Sequence, residues 1–160
     1  MADRQPEKQD SVVHYKKPGW FTIHVFNRIV ALATGLGLSV WGSRELRVRG
    51  RKSGQWRSVP VNLLTLGHER YLVAPRGETQ WVRNIRVTGA GELALGKKTE
   101  AIEVAEVPDK DKPEILRAYL KRWKAEVGVF FDGVSAASSE EELRRIAPRH
   151  PVFKIGRPSD

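Results

Sequence analysis

Between Arg44 and Val107 the chain breaks into short extended runs, ELRVRG, RSVPVNLLTL, RYLVAP, ELALG and TEAIEVAEV, and this pattern limits the fold more than any other feature. Gly67-His68-Glu69 and Gly96-Lys97-Lys98 separate neighbouring runs, where glycine supplies the turn conformation, so both read as hairpin loops between antiparallel strands. In Leu46-Arg47-Val48-Arg49 apolar and charged side chains alternate, as in a strand with one face in a core and the other toward water or a ligand. One helical segment interrupts the meander. In GETQWVRNIRVTGAG, Trp81, Asn84, Ile85 and Thr88 recur at helical spacing, with Arg83 and Arg86 on another face.

Further on, Asp111-Lys112-Pro113-Glu114 reads as a helix start with an aspartate cap and an early proline, followed by a stripe of Ile115, Leu116, Tyr119, Leu120 and Trp123. A shorter helix is expected from Ser138 or Ser139 in SSEEELRRI, and Val152-Phe153-Lys154-Ile155 is expected to form a last strand. The fold class is therefore α+β, mostly β: a small barrel of about six mainly antiparallel strands with an N-terminal helix, one inserted short helix and C-terminal helices. A doubly wound parallel sheet would need a helix after nearly every strand.

A chain of 160 residues fits one domain, expected over 19–160 behind a flexible leader of residues 1–18 that mixes both charge signs and does not read as a signal peptide. The apolar stretch from Gly19 to Trp41 is interrupted by His24, Asn27 and Arg28 and is too short beyond them to span a bilayer, which takes about 20 residues. Trp20, Phe21 and Phe26 beside Lys16, Lys17 and Arg28 fit either a core-packed helix or an interfacial one. The expected location is the cytoplasm, with peripheral contact at the inner face of the cell membrane through residues 19–41 as the open alternative. Cysteine is absent, which removes disulfides, thiolate metal sites and cysteine nucleophiles; any redox chemistry must come from a bound cofactor.

The net charge of +9 favours anionic partners, and its distribution is uneven. Between Gly42 and Pro60 lie Arg44, Arg47, Arg49, Arg51, Lys52 and Arg57, opposed by Glu45 alone. Arg51 and Lys52, with Ser53 and exposed backbone N–H groups on a glycine-flanked loop, can surround a phosphate or several carboxylates; a solvated hairpin is the plainer reading. The loop is not a nucleotide-triphosphate loop of the GxxxxGK[ST] type. Arg76 in Pro75-Arg76-Gly77 puts another cation before the helix that carries Trp81 and Asn84, where an indole can cover a planar ligand. The four histidines are scattered without helical ligand spacing, so no metal is expected, and neither GxSxG nor HExxH occurs.

Taken together, G-R-K-S-G-x-x-R with a proline three residues later and A-P-R-G-E-T-Q-W-V-R-N resemble the deazaflavin (F420)-dependent nitroreductase family, the actinobacterial flavin/deazaflavin oxidoreductases, over about Leu46 to Val107. The resemblance implies an FMN-binding-type split β-barrel and coenzyme F420, an 8-hydroxy-5-deazaflavin with a phosphate and an oligoglutamate tail. It implies an oxidoreductase passing a hydride from the reduced cofactor to a small electrophilic acceptor, with no side-chain nucleophile. Position by position, Arg51, Lys52, Ser53 and Arg57 match contacts to the phosphate and tail, Pro60 and Val61 flank the ring, Arg76 matches a basic residue after the third strand, and Trp81 and Asn84 match a W-x-x-N cofactor helix.

Two positions depart from the nitroimidazole-reducing pattern, Asn62 in place of a tyrosine and Pro75 in place of a small hydroxyl residue, leaving quinones, enones and nitro compounds as acceptors. Asn62, Pro75, Phe130 and Phe131 are the acceptor-side candidates, while Tyr119 and Trp123 suit the core. The alternatives are a non-catalytic module of this fold that binds F420 or a fatty acid, and a basic nucleic-acid-binding barrel. The last would interleave aromatics with its cations, whereas Leu46 to Val61 carries only Trp56, so nucleic acid is not the expected partner. The oligomeric state is not indicated.

Overall fold

The computed structural model describes residues 43–158. The expected leader, the N-terminal helix and the segment 19–41 lie outside these residues. Six strands, β1 (Ser43–Arg49), β2 (Trp56–Leu66), β3 (Glu69–Val73), β4 (Ala90–Leu95), β5 (Lys98–Glu106) and β6 (Val152–Gly156), close into a barrel in the order β1-β2-β3-β6-β5-β4. Every pairing is antiparallel. Among the described residues three α-helices accompany them: α1 (Gln80–Thr88), α2 (Pro113–Val127) and α3 (Glu140–Ile146). The mostly-β barrel with one inserted helix and late helices is thus the one the sequence pattern calls for.

The pairs Leu66↔Glu69 and Leu95↔Lys98 leave two-residue turns, and Gly67 (φ 62°) and Gly96 (φ 57°) occupy the left-handed backbone region that such turns need. On β1 the alternation resolves as expected, with Leu46 and Val48 fully buried and Arg47 turned out to pair with Glu45 at 3.1 Å.

Two hydrophobic cores share the sheet. Inside the barrel, Leu46, Val61, Leu72, Ile102 and Phe153 meet Val82 and Ile85 from α1, so this helix covers the end from which the β1–β2 loop projects. On the outer face, Leu64, Val73 and Val152 pack under α2 and α3 against Leu116, Trp123 and Leu143. The adjacent residues Leu63 and Leu64, like Leu72 and Val73, fall in different cores, as strand alternation requires. At the opposite barrel end the Arg70 guanidinium grips both oxygens of Glu100 at 2.6 and 2.9 Å across β6 and holds that carboxyl below the usual range.

The capping of α3 is as expected: Ser139 Oγ accepts from the Glu142 N–H at 3.2 Å while the Glu142 carboxylate accepts from the Ser139 N–H at 3.0 Å. The start of α2 differs. Asp111 does not cap it but ends a 3₁₀ turn, Asp109–Asp111, and Lys112 stands at the N-cap with no side-chain cap bond. The cause is local: Lys112 is 3% exposed and its Nζ bridges Asp109 Oδ1 (2.6 Å) and Ala147 O (3.0 Å), while Pro113 supplies the first helical φ and has no N–H to cap. Among the described residues no helix is long and apolar enough to cross a membrane.

Candidate functional site

The β1–β2 connection is a closed loop, Gly50–Gln55, whose backbone bonds Gly50 N–H to Gln55 O and Gly54 N–H to Gly50 O, each at 2.8 Å. Arg49 braces it by donating to Gly54 O at 3.0 Å, with its guanidinium 4.3 Å from the Trp56 ring centre. The loop is fastened to α1 at one residue. Asn84, only 5% exposed, accepts on Oδ1 both the Arg51 backbone N–H (3.1 Å) and Arg51 Nη1 (2.9 Å). The same Nη1 donates to Gln80 Oε1 at 2.9 Å. The cationic loop and the Trp-x-x-Asn helix are therefore one unit.

Among the described residues some cations are paired with carboxylates and others are not. Arg47, Arg70, Arg86, Arg144, Arg149 and Lys154 each pair with a carboxylate, and Arg86 reaches two, Glu106 (2.7 Å) and Glu78 (2.6 Å), which bind α1 to β5 and raise its proton affinity above the arginine norm. By contrast, among the described residues no carboxylate lies within ion-pair distance of Arg51, Lys52, Arg57, Arg76 or Arg83, all of which stand on or beside the loop and α1. The first turn of α1 carries no acid, and the hydroxyl of its N-cap Thr79 is buried without a hydrogen-bond partner. Positive charge, helix N–H groups and an unsatisfied hydroxyl thus collect in one place.

The other sequence-predicted positions spread along β2 and around the β3–α1 turn. Lys52 and Ser53 in the loop and Arg57 at the start of β2 are exposed, and Ser53 Oγ accepts the Gln55 N–H at 3.2 Å. Trp81 is half-buried, with its ring centre 5.9 Å from that of Phe153. Pro60 and Asn62 are half-buried at outward positions of β2, opposite Glu45 and Ser43, and Ser43 Oγ donates to Asn62 Oδ1 at 3.0 Å. Asn62 lies six residues beyond Trp56, about 20 Å along the strand, so any site that includes both is elongated. Val61 corrects its expected place beside the ring, because its parity turns it into the barrel core at 7% exposure.

Arg76, exposed, lies 5.9 Å from the ring of half-buried Phe130, so the turn after β3 meets the 3₁₀ turn Gly128–Phe130 that follows α2. Phe131 is a second correction. It is fully buried and stacks on the His150 ring at 4.2 Å, making it part of the helical core and not an open wall. Pro75, half-buried, reaches that core through the same histidine, which lies against the Ala74 and Pro75 backbone. Sequence reasoning passed over His150 as one of four scattered histidines, and passed over Gln80 although it stands four residues before Asn84 on the same helical face. A separate cleft of about 500 Å³, floored by Leu63, Leu64 and Ala118 with Lys121 at its edge, lies between β2 and α2 and shares no residue with the Arg51–Asn84 arrangement.

Burial depresses the His150 pKa below 6.5, more than the neighbouring backbone raises it, and its Nδ1 has no partner. The folded state therefore holds fewer protons than the unfolded state just below that value, and stability contributed by the neutral ring falls as pH drops from about 6.5. Chemical denaturation is expected to show a stability slope between about pH 7 and 5 that is flattened in His150→Gln, while losses from Glu45, Glu78 and Glu100 begin only at lower pH.

Comparison with known proteins decides the family. The model of the F420H(2)-dependent quinone reductase family matches residues 23–135. The chain belongs to that family. Coenzyme F420 is the cofactor of this F420-dependent reductase family, and the closed barrel agrees with the split β-barrel of the flavin/deazaflavin oxidoreductases. Among solved structures, an F420-H2 dependent reductase (FDR-A) superposes with a TM-score of 0.50 at 17% identity over 72% of this chain and 94% of its own. A protein of unknown function from Agrobacterium tumefaciens gives 0.55 at 12% identity over 74% of this chain and 49% of its own. A protein described as a domain-swapped dimer gives 0.52 at 16% identity over 84% and 96%. At these identities the likeness is one of fold. No curated protein matches the chain.

The residues present fit such a cofactor. A phosphate and glutamate tail needs cations that no protein carboxylate already neutralises, and the Gly50–Gln55 loop with Arg57 and Arg76 supplies them. The orphaned Thr79 hydroxyl and the acid-free first turn of α1 add donors for the same anion.

Proposed function

We propose that the chain is an F420H2-dependent reductase whose acceptor is a small quinone, enone or nitro compound. In this reading Arg51, Lys52, Ser53 and Arg57, with Arg76 from the turn after β3, hold the phosphate and glutamates, while Trp81 and Pro60 border the ring. Asn84 acts from beneath by fixing Arg51. Pro75, Phe130 and Asn62 are the acceptor-side candidates. Bound F420H2 supplies the hydride; the chain supplies binding and orientation. One observation carries the reading: Asn84 bonds the cationic loop to the Trp81 helix, so the groups needed by the two ends of a tailed, planar, acidic coenzyme are built together.

The direct test is titration of the purified protein with oxidised F420, followed by spectroscopic oxidation of F420H2 with menadione or cyclohexenone. Turnover supports the reductase; tight binding without turnover over a broad acceptor panel would identify a binding module instead. Lys52→Ala is expected to weaken full-length F420 about tenfold or more while leaving the fragment without phosphate and glutamates within about twofold, because only charge-assisted contacts are removed. Equal losses for both ligands would refute the tail-binding role of Lys52.

A further inference from the structure

The Arg51 side chain donates to two acceptors, Gln80 Oε1 and Asn84 Oδ1, and both are neutral side-chain amides. The orientation of Asn84 is not ambiguous, because the Arg51 backbone N–H can only donate, so the atom facing it must be the oxygen. Other arginines that join separate strands or a helix to a strand are fixed by carboxylates, as at Arg70–Glu100 and Arg86–Glu106, while Arg49 and Arg117 donate to backbone carbonyls. A glutamate at position 80 would give Arg51 an equally good acceptor and would suit the start of α1, where negative charge is favoured. It would also cancel the charge.

Resting on the F420 reading above, we propose that Gln80 and Asn84 are neutral tethers that immobilise Arg51 without neutralising it. The amide at position 80 thereby sets the preference for a polyanionic ligand over its uncharged ring. Both are positioning residues that act through Arg51. Preorganisation explains the benefit: an arginine already held at two amides loses little side-chain freedom when an anion arrives, and its remaining guanidinium N–H groups keep their full attraction for it.

Gln80 is the residue to change, since it is exposed, whereas Asn84 is buried and also holds the loop backbone. The full chain is compared with Gln80→Glu and Gln80→Met by fluorescence titration of F420 bearing its glutamate tail and of the fragment lacking phosphate and glutamates, alongside thermal unfolding. Gln80→Glu is expected to weaken the tailed ligand about tenfold or more, to leave the fragment within about twofold, and to melt no lower than the natural protein. Gln80→Met, which loses the acceptor but adds no charge, is expected to weaken the tailed ligand by less than about threefold. Equal losses in the two variants, equal losses for the two ligands, or a Gln80→Glu chain that binds the tailed ligand like the natural one would each overturn the proposal while leaving the cofactor assignment standing. Failure of the natural chain to bind either ligand would overturn the assignment itself, and this inference with it.

Discussion

Truncating Trp123 to alanine is expected to lower the unfolding free energy by about 3–5 kcal/mol, among the largest losses for one side chain in this fold. The residue is 1% exposed in the helical core, and its Nε1 donates to Leu63 O at 3.3 Å, so it ties α2 to β2 by both packing and a hydrogen bond. Against a typical total of about 5–15 kcal/mol the loss would leave a marginal protein, measurable as a lower denaturation midpoint. Trp123→Phe should lose only about 1–2 kcal/mol, since most of the volume remains. Because the cationic loop is fastened to α1 at the barrel end and not to the helical core that holds Trp123, F420 affinity per folded molecule should stay unchanged in both variants. A loss below about 1 kcal/mol in Trp123→Ala would show that the helical layer contributes little to holding the fold.

Asn84→Ala is expected to act on stability and binding together. It removes the acceptor of the Arg51 N–H and of Arg51 Nη1, for about 1–2 kcal/mol, the lower part of the usual range because Arg51 is half-exposed and water can partly replace the bond. The loop would then no longer be held against α1, and affinity for tailed F420 should drop about tenfold or more. Hydrogen exchange at the Arg51 amide reports the cause directly: protection should collapse there while amides inside β1 and β2 keep theirs. Unchanged Arg51 protection alongside weakened binding would mean that Asn84 touches the ligand itself and does not merely position the loop.

The barrel strands were legible because their signals are local. Alternation on Leu46 to Arg49, the two glycine hairpins and the stripe from Ile115 to Trp123 each depend on a few neighbouring residues, and the structure reproduces them. The Ser139 capping box was legible for the same reason, whereas the Asp111 cap was not realised because a buried lysine from the next position bonds a carbonyl 35 residues away. Phe131 was misplaced on similar grounds: aromatic character suits a ligand wall and a core equally, and only the approach of His150 decides between them. Val61 followed strand parity into the core, although its motif position had suggested the ring.

By itself, the sequence determined that this chain is a mostly-β meander with one inserted helix and late helices, that it carries an uncompensated cationic turn, and that it resembles deazaflavin enzymes. Those features are written in periodicity, turn residues and motif spacing. Only the tertiary structure decided that β6 enters between β3 and β5 to close the barrel, and which arginines are left without carboxylates. It also decided that one buried amide joins Arg51 to the Trp81 helix. The reason is that pairing order, charge compensation and hydrogen bonding between distant segments depend on which groups meet in space, and local spacing holds no record of that.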